Sequence, residues 1–270
     1  MKMTRTAVIT LALLSATAAA LTAHDLFLKL DAYWVSPNTA IRVPLLNGTF
    51  RNSENSVTRD RVRDVSIVAT SGIQHVSDFG WSDTGDTAYL EVKTGAPGTY
   101  VLGVSTNPRD LKLSGKDFNS YLREEGLGDI VEMRRKNGQL GMESRERYAK
   151  HVKAVFQVGT EKSDSYKTPL DYPAEIVPMV NPYDVPVGSV LEVQCLVDGS
   201  PAANVVVLAG GQAGNKRLPQ RSTRSDANGI ARIRITSRGR WYVKFISMRE
   251  VAEAEIDYES KWATLTFGVR

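Results

Sequence analysis

Short runs of alternating apolar residues, each closed by turn formers, constrain this chain more than any other feature. A strand sends successive side chains to opposite faces, so a period of two demands a sheet with a buried face. Val65, Ile67 and Ala69 keep that period, as do Tyr100, Leu102 and Val104. Across 25–106, LFLKLDAYWV, AIRVPLLNG, RVRDVSIVAT, AYLEVKTG and TYVLGVST are rich in β-branched and aromatic residues. SPNT, NGT, SGI, SDTGD and GAPG separate them as turns. A second series, LEVQCLVDG, NVVVLAG, GIARIRIT, WYVKFISM and WATLTFGV, follows from Ala174, with a tight turn at 226–229. The pattern predicts a mainly β protein of two sandwiches, immunoglobulin-like or transthyretin-like, over 24–159 and 174–270. Residues 160–173 are polar, contain two prolines and read as a linker.

Residues 116–158 change character. Phe118, Tyr121 and Leu122 recur at helical spacing, as do Ile130, Val131 and Met133, with Gly126, Gly138 and Gly141 as stops. A helical insertion in the first sandwich is predicted here, its final HVKAVFQVG running from helix into strand.

The chain opens on Lys2 and Arg5, an apolar run at 7–14 too short to span a bilayer, and the small residues SATAAALTA. That order is the signature of a secretory signal peptide over 1–23, which implies a periplasmic or secreted protein. Two cuts fit: after Ala20, leaving Leu21 first, or after Ala23, leaving His24 first. No later stretch approaches the length of a membrane span. The formal charge of +4, from 34 basic and 30 acidic residues, falls when Lys2 and Arg5 leave. The remaining basic runs are short, so nucleic acid is not an expected partner.

Motifs of catalysis are missing. Cys195 lies on the apolar phase of a strand and reads as a buried, inert thiol. The glycine-rich 209–217 lacks the Gly-Lys-Ser/Thr ending of a phosphate loop and reads as a sandwich loop. No G-x-S-x-G elbow occurs, Glu124 and Glu125 read as a solvated helix face, and Asp78, Asp83 and Asp86 as a polar turn. Trp34, Trp81, Trp241 and Trp262 read as core. The expectation is a protein without enzymatic activity.

The three histidines are the remaining candidates. A cut after Ala23 would give His24 a free α-amine beside its imidazole, two nitrogen donors of the kind nickel, cobalt and copper favour. Asp25 adds a carboxylate. His75, in a strand edge or turn, and His151, in the helical-looking RYAKHVK, are the available further nitrogens.

The opening Ala23-His24-Asp25-Leu26-Phe27 is similar to the Ala-His-Asp-aromatic mature N-terminus of a family of exported bacterial proteins of uncertain function. Further matching stretches are YLREEGL at 121–127, RERYAKHVKAVFQVG at 145–159, AEIVPMVNPYDVPVG at 174–188, DGSPAANVVV, RSDANGIARIRI and WATLTF. Some members of that family are assigned to periplasmic nickel or cobalt uptake. The resemblance implies a non-enzymatic β-sandwich that presents a divalent transition metal to a membrane uptake component, with His24 as ligand and Asp25 beside it. Members of the family often carry histidines near the positions of Gly48-Thr49 and Ile246-Ser247-Met248; both are missing here. Two functional readings result. One is a metal-binding protein using His24, Asp25, His75 and His151, with nickel or cobalt first and copper third. The alternative is a metal-free sandwich module that binds a protein or a glycan.

Overall fold

Each apolar run of the sequence becomes a strand, because alternation leaves one face of every run in need of cover. The computed structural model describes residues 24–270, so the expected signal peptide lies outside the described residues. The first half comprises β1 (Asp25–Leu28), β2 (Trp34–Val35), β3 (Ala40–Gly48), β4 (Val62–Ala69), β5 (Gly72–His75), β6 (Gly80–Thr84), β7 (Thr87–Lys93), β8 (Gly98–Thr106) and β9 (Arg109–Leu113). Helices α1 (Gly115–Glu124) and α2 (Gly128–Lys136) follow, then β10 (Ser144–Val158). The second half comprises β11 (Ala174–Pro178), β12 (Val190–Val197), β13 (Ser200–Pro201), β14 (Val206–Ala213), β15 (Lys216–Arg224), β16 (Ile230–Arg234), β17 (Gly239–Glu253) and β18 (Ile256–Val269).

Three sheets stack. The central, ten-stranded sheet runs β15-β14-β17-β18-β10-β8-β4-β5, with β2 and β9 also pairing β10. Its two halves join where β10 pairs β18 in parallel, from Glu146 opposite Tyr258 to Ala154 opposite Thr266. The two predicted sandwiches therefore share a wall. One face is covered by the sheet β1-β3-β7-β6, over a core that includes Val65, Ile67, Leu102, Val104, Val152 and Phe156. The other face is covered by the sheet of β11, β12, β13 and β16, over Val68, Val101, Val155, Val243 and Leu265. The odd and even residues of β4, β8 and β10 thus serve opposite cores, as a period of two requires.

Helix is confined to 115–136 within the expected insertion, and 144–158 is strand. RYAKHVK, expected as helix, fails to be one because Glu146, Tyr148, Lys150, Val152, Ala154 and Phe156 occupy one face at a period of two. The inward side chains Phe118, Tyr121 and Leu122 of α1 cover Ile246, Tyr258 and Trp262. Gly126, at φ +77°, ends the first helix in the left-handed region that an L side chain resists. The glycine-rich 209–217 is the hairpin of β14 and β15 rather than a loop. A Cβ on Gly211 would lie 2.2 Å from the Arg240 carbonyl, so glycine lets β14 and β17 approach. No helix among the described residues is long and apolar enough to cross a membrane.

Candidate functional site

Strand β1 decides where the polar chemistry collects. It pairs β3 along one edge, with Asp25 opposite Gly48. The carbonyls of Leu26 and Leu28 accept the hydroxyls of Thr264 and Thr266 on β18. This ties β1 across the central sheet and leaves His24 and Asp25 where that cover stops. Beyond them the inward face of β10 turns polar, with Lys150, Tyr148 and Glu146.

Two cavities meet at His24. One, of about 490 Å³, is lined by His24, Asp25, Glu54, Arg51, Arg217 and the ring cluster of Phe27, Phe50 and Tyr242, among others. The second, of about 320 Å³, is lined by His24, Asn47, Asn55, Arg109, Glu146, Tyr148, Lys150 and Trp262, among others. The His24 Nδ1 lies 3.5 Å from Glu54 Oε2. Asp25 Oδ2 lies 2.6 Å from the Lys244 ammonium, which also meets Glu125 Oε2 at 2.7 Å. Lys244 keeps its charge despite burial, because two carboxylates hold its pKa above the usual value. Burial, and then the Asp25 charge, push the Glu125 carboxyl up to about 7. Asp25 Oδ1 is buried and accepts no hydrogen bond among the described residues.

His75 and His151 lie elsewhere. Lys150 donates to the His24 carbonyl, so the neighbouring His151 points to the opposite face of the sheet. There its Nδ1 is 2.9 Å from Ser105 Oγ, and burial lowers its pKa to about 3, so it is neutral. His75, on the edge strand β5 as expected, places Nδ1 2.9 Å from Asp64 Oδ1. Tyr172 donates to the other Asp64 oxygen at 2.7 Å, and its ring centroid is 6.0 Å from that of His151. The four expected site residues are thus two pairs separated by the central sheet. His24 and Asp25 lie together, but the further nitrogen expected from His75 or His151 is placed across the central sheet: His151 follows Lys150 in the strand and faces the other way, and His75 turns to Asp64. Among the described residues no three His, Cys, Asp or Glu side chains converge to hold a metal ion. The fit of a metal at His24 therefore needs a donor besides the His24 and Glu54 side chains.

Gly48 and Thr49, the positions at which the resemblance implied a histidine, line the same cavity as His24. Glu125, Lys244, Lys150 and Glu146 belong to no motif in the sequence, and Glu125, expected on a solvated helix face, is instead turned inward to Lys244. The readable signal was polar residues on an apolar phase: Lys244 between Tyr242 and Ile246, and Glu146 and Lys150 in phase with Val152. Cys195 is fully buried, and burial raises its thiol pKa to about 12, as an inert strand thiol should be. Trp241 and Trp262 are buried; Trp34 and Trp81 are half-buried, with Trp34 under Arg270 at 3.9 Å.

A family model described as "Domain of unknown function (DUF4198)" matches residues 21–249. No curated protein matches significantly. Among solved structures, the chain is similar to the D0-D1 domain of intimin, at 13% identity over 91% of this chain and 98% of that one, with a TM-score of 0.22. It is similar to dimeric latent PorU from Porphyromonas gingivalis at 8% identity, over 91% and 20% of the two chains, with a TM-score of 0.20. A tetra-tandem repeat from the extending region of a large adhesion protein matches at 11% identity, over 91% and 49%, with a TM-score of 0.23. Scores this low carry no argument about function.

Proposed function

Because the chain belongs to the DUF4198 family, whose function is unknown, we propose its role from the site: an exported, non-enzymatic protein that binds a divalent transition metal at His24. Nickel or cobalt is the expected ion, with copper the third candidate, and the biological setting is metal uptake alongside a membrane component. The observation that carries the reading is the pairing of the His24 imidazole with the Glu54 carboxylate at 3.5 Å on the wall of an open cavity. Imidazole and carboxylate both serve these metals, and borderline ions take nitrogen donors readily. A cut after Ala23 would add the His24 α-amine as a second nitrogen on the same residue. Asp25, tethered to Lys244, would fix the backbone beside the ion and contribute charge.

Protons compete for the imidazole and amine lone pairs, so affinity should fall as pH falls through their pKa values. The test is calorimetry of nickel, cobalt and copper against the exported protein, with its N-terminal residue determined by mass. The reading expects a chain beginning at His24, saturable binding, and loss of roughly tenfold or more in affinity in both His24→Ala and Glu54→Gln. A mature chain beginning at Leu21, or binding indifferent to His24→Ala, would return the protein to the alternative of a metal-free interaction module.

A further inference from the structure

The cavity on the other side of His24 has a chemistry of its own. Its wall carries three consecutive inward residues of β10, Glu146, Tyr148 and Lys150, with Trp262 from the paired strand β18. The buried Lys150 ammonium lies 5.3 Å from the centroid of the Tyr148 ring and 5.1 Å from that of Trp262, and donates to the His24 carbonyl. Arg109 shares this wall. A smaller adjoining cavity, also lined by Lys150 and Arg109, adds the buried Arg61, which donates to the Asn107 carbonyl. Among the described residues, none of these three cations makes an ion pair. Asp25, Glu146 and Glu125 act on the buried Lys150 only from beyond ion-pair distance, as Asp60 does on the buried Arg61, so an anion at contact distance would complete both.

Glu146 supplies the second, independent observation. It is 1% exposed and lines the same cavity. Its Oε1 accepts from Tyr121 and Ser260, while Oε2 has no hydrogen-bond partner among the described residues. A buried carboxyl oxygen without a partner calls for a ligand group that can donate to it or, when the carboxyl is protonated, accept from it. A hydroxyl does both. An ammonium would add a fourth positive charge to a cluster of three.

We propose that this cavity binds a small organic hydroxycarboxylate, its carboxylate groups set among Lys150, Arg109 and Arg61 and its hydroxyl on Glu146. The apolar backbone of such a ligand would lie against the Tyr148 and Trp262 rings. No metal is needed for this binding, and its test is independent of the metal reading.

The test is calorimetric titration of protein freed of metal on a chelating resin, using malate, citrate, succinate and aspartate as probes. Malate and citrate should saturate. Succinate, which lacks the hydroxyl, and aspartate, which replaces it with an ammonium, should bind roughly tenfold more weakly than malate. Arg109→Gln, at the exposed rim, should weaken malate by a similar factor without changing the melting temperature. Failure of malate and citrate to saturate at millimolar concentration overturns the proposal. So does succinate or aspartate binding as tightly as malate. The comparison of ligands uses the unaltered protein, so it stands even if a variant fails to fold.

Discussion

Glu125 illustrates how much a single residue's environment decides. It sits at the end of α1 beside Glu124, and from sequence the two look alike. The turn of the chain at Gly126 directs Glu125 inward to Lys244, whereas Glu124 is exposed. In the folded protein its carboxyl is raised from 4.5 to about 7, by burial first and the Asp25 charge second. The native state therefore holds that proton more tightly than the unfolded chain does. Its contribution to stability is complete below about 4.5 and disappears as pH rises through about 7. The melting temperature should accordingly drop between pH 5 and pH 8, by an increment that Glu125→Gln removes. Identical pH profiles for the two proteins would refute the assignment. Cys195 is the opposite case, legible from sequence, because strand phase alone determines its burial.

At the scale of elements, β10 carries most of the organisation. Its charge facing the second core, Lys153, meets Glu175 of β11 at 2.9 Å, with both side chains almost wholly buried. The Glu175 oxygen also accepts from the Leu170 amide, at 2.9 Å. This links the central sheet to the sheet that covers it. Leaving one partner of a buried pair uncompensated costs about 3–5 kcal/mol, while replacing both is nearly neutral. Lys153→Met should therefore lower stability by that amount in denaturant unfolding. The double variant Lys153→Met with Glu175→Gln, which keeps an acceptor for Leu170, should recover most of the loss. Additive losses would mean that the pair does not act as a unit. The same strand shows why RYAKHVK resembles a helix in sequence: seven residues with three cations fit a solvated helix as well as a strand. Pairing with β9 and β18 on its two edges, information held more than 100 residues away in β18, chose the strand.

For the whole molecule, the shared ten-stranded sheet is the feature with the widest consequences. If β10 and β18 form one cooperative wall, calorimetry should give a single unfolding transition, and 24–159 and 174–270 expressed apart should each lack a stable fold. Two resolved transitions would restore two independent sandwiches. The sequence by itself determined the mainly β class, the individual strands from AIRVPLLNG to WATLTFGV, the tight turns, the inert cysteine and the singling out of His24 and Asp25. These are local properties, written in periods of two and in turn residues. Only the tertiary structure decided that His75 and His151 lie across the sheet from His24. It alone brought Glu54 to the first cavity, Lys244 and Glu125 to Asp25 on its wall, and Glu146, Lys150 and Arg109 to the second, with Arg61 in the one adjoining it. The physical reason is that alternation fixes which residues share a face of one strand, but not which strands become neighbours. Neighbours are chosen by the burial of whole faces, over separations that no local pattern records.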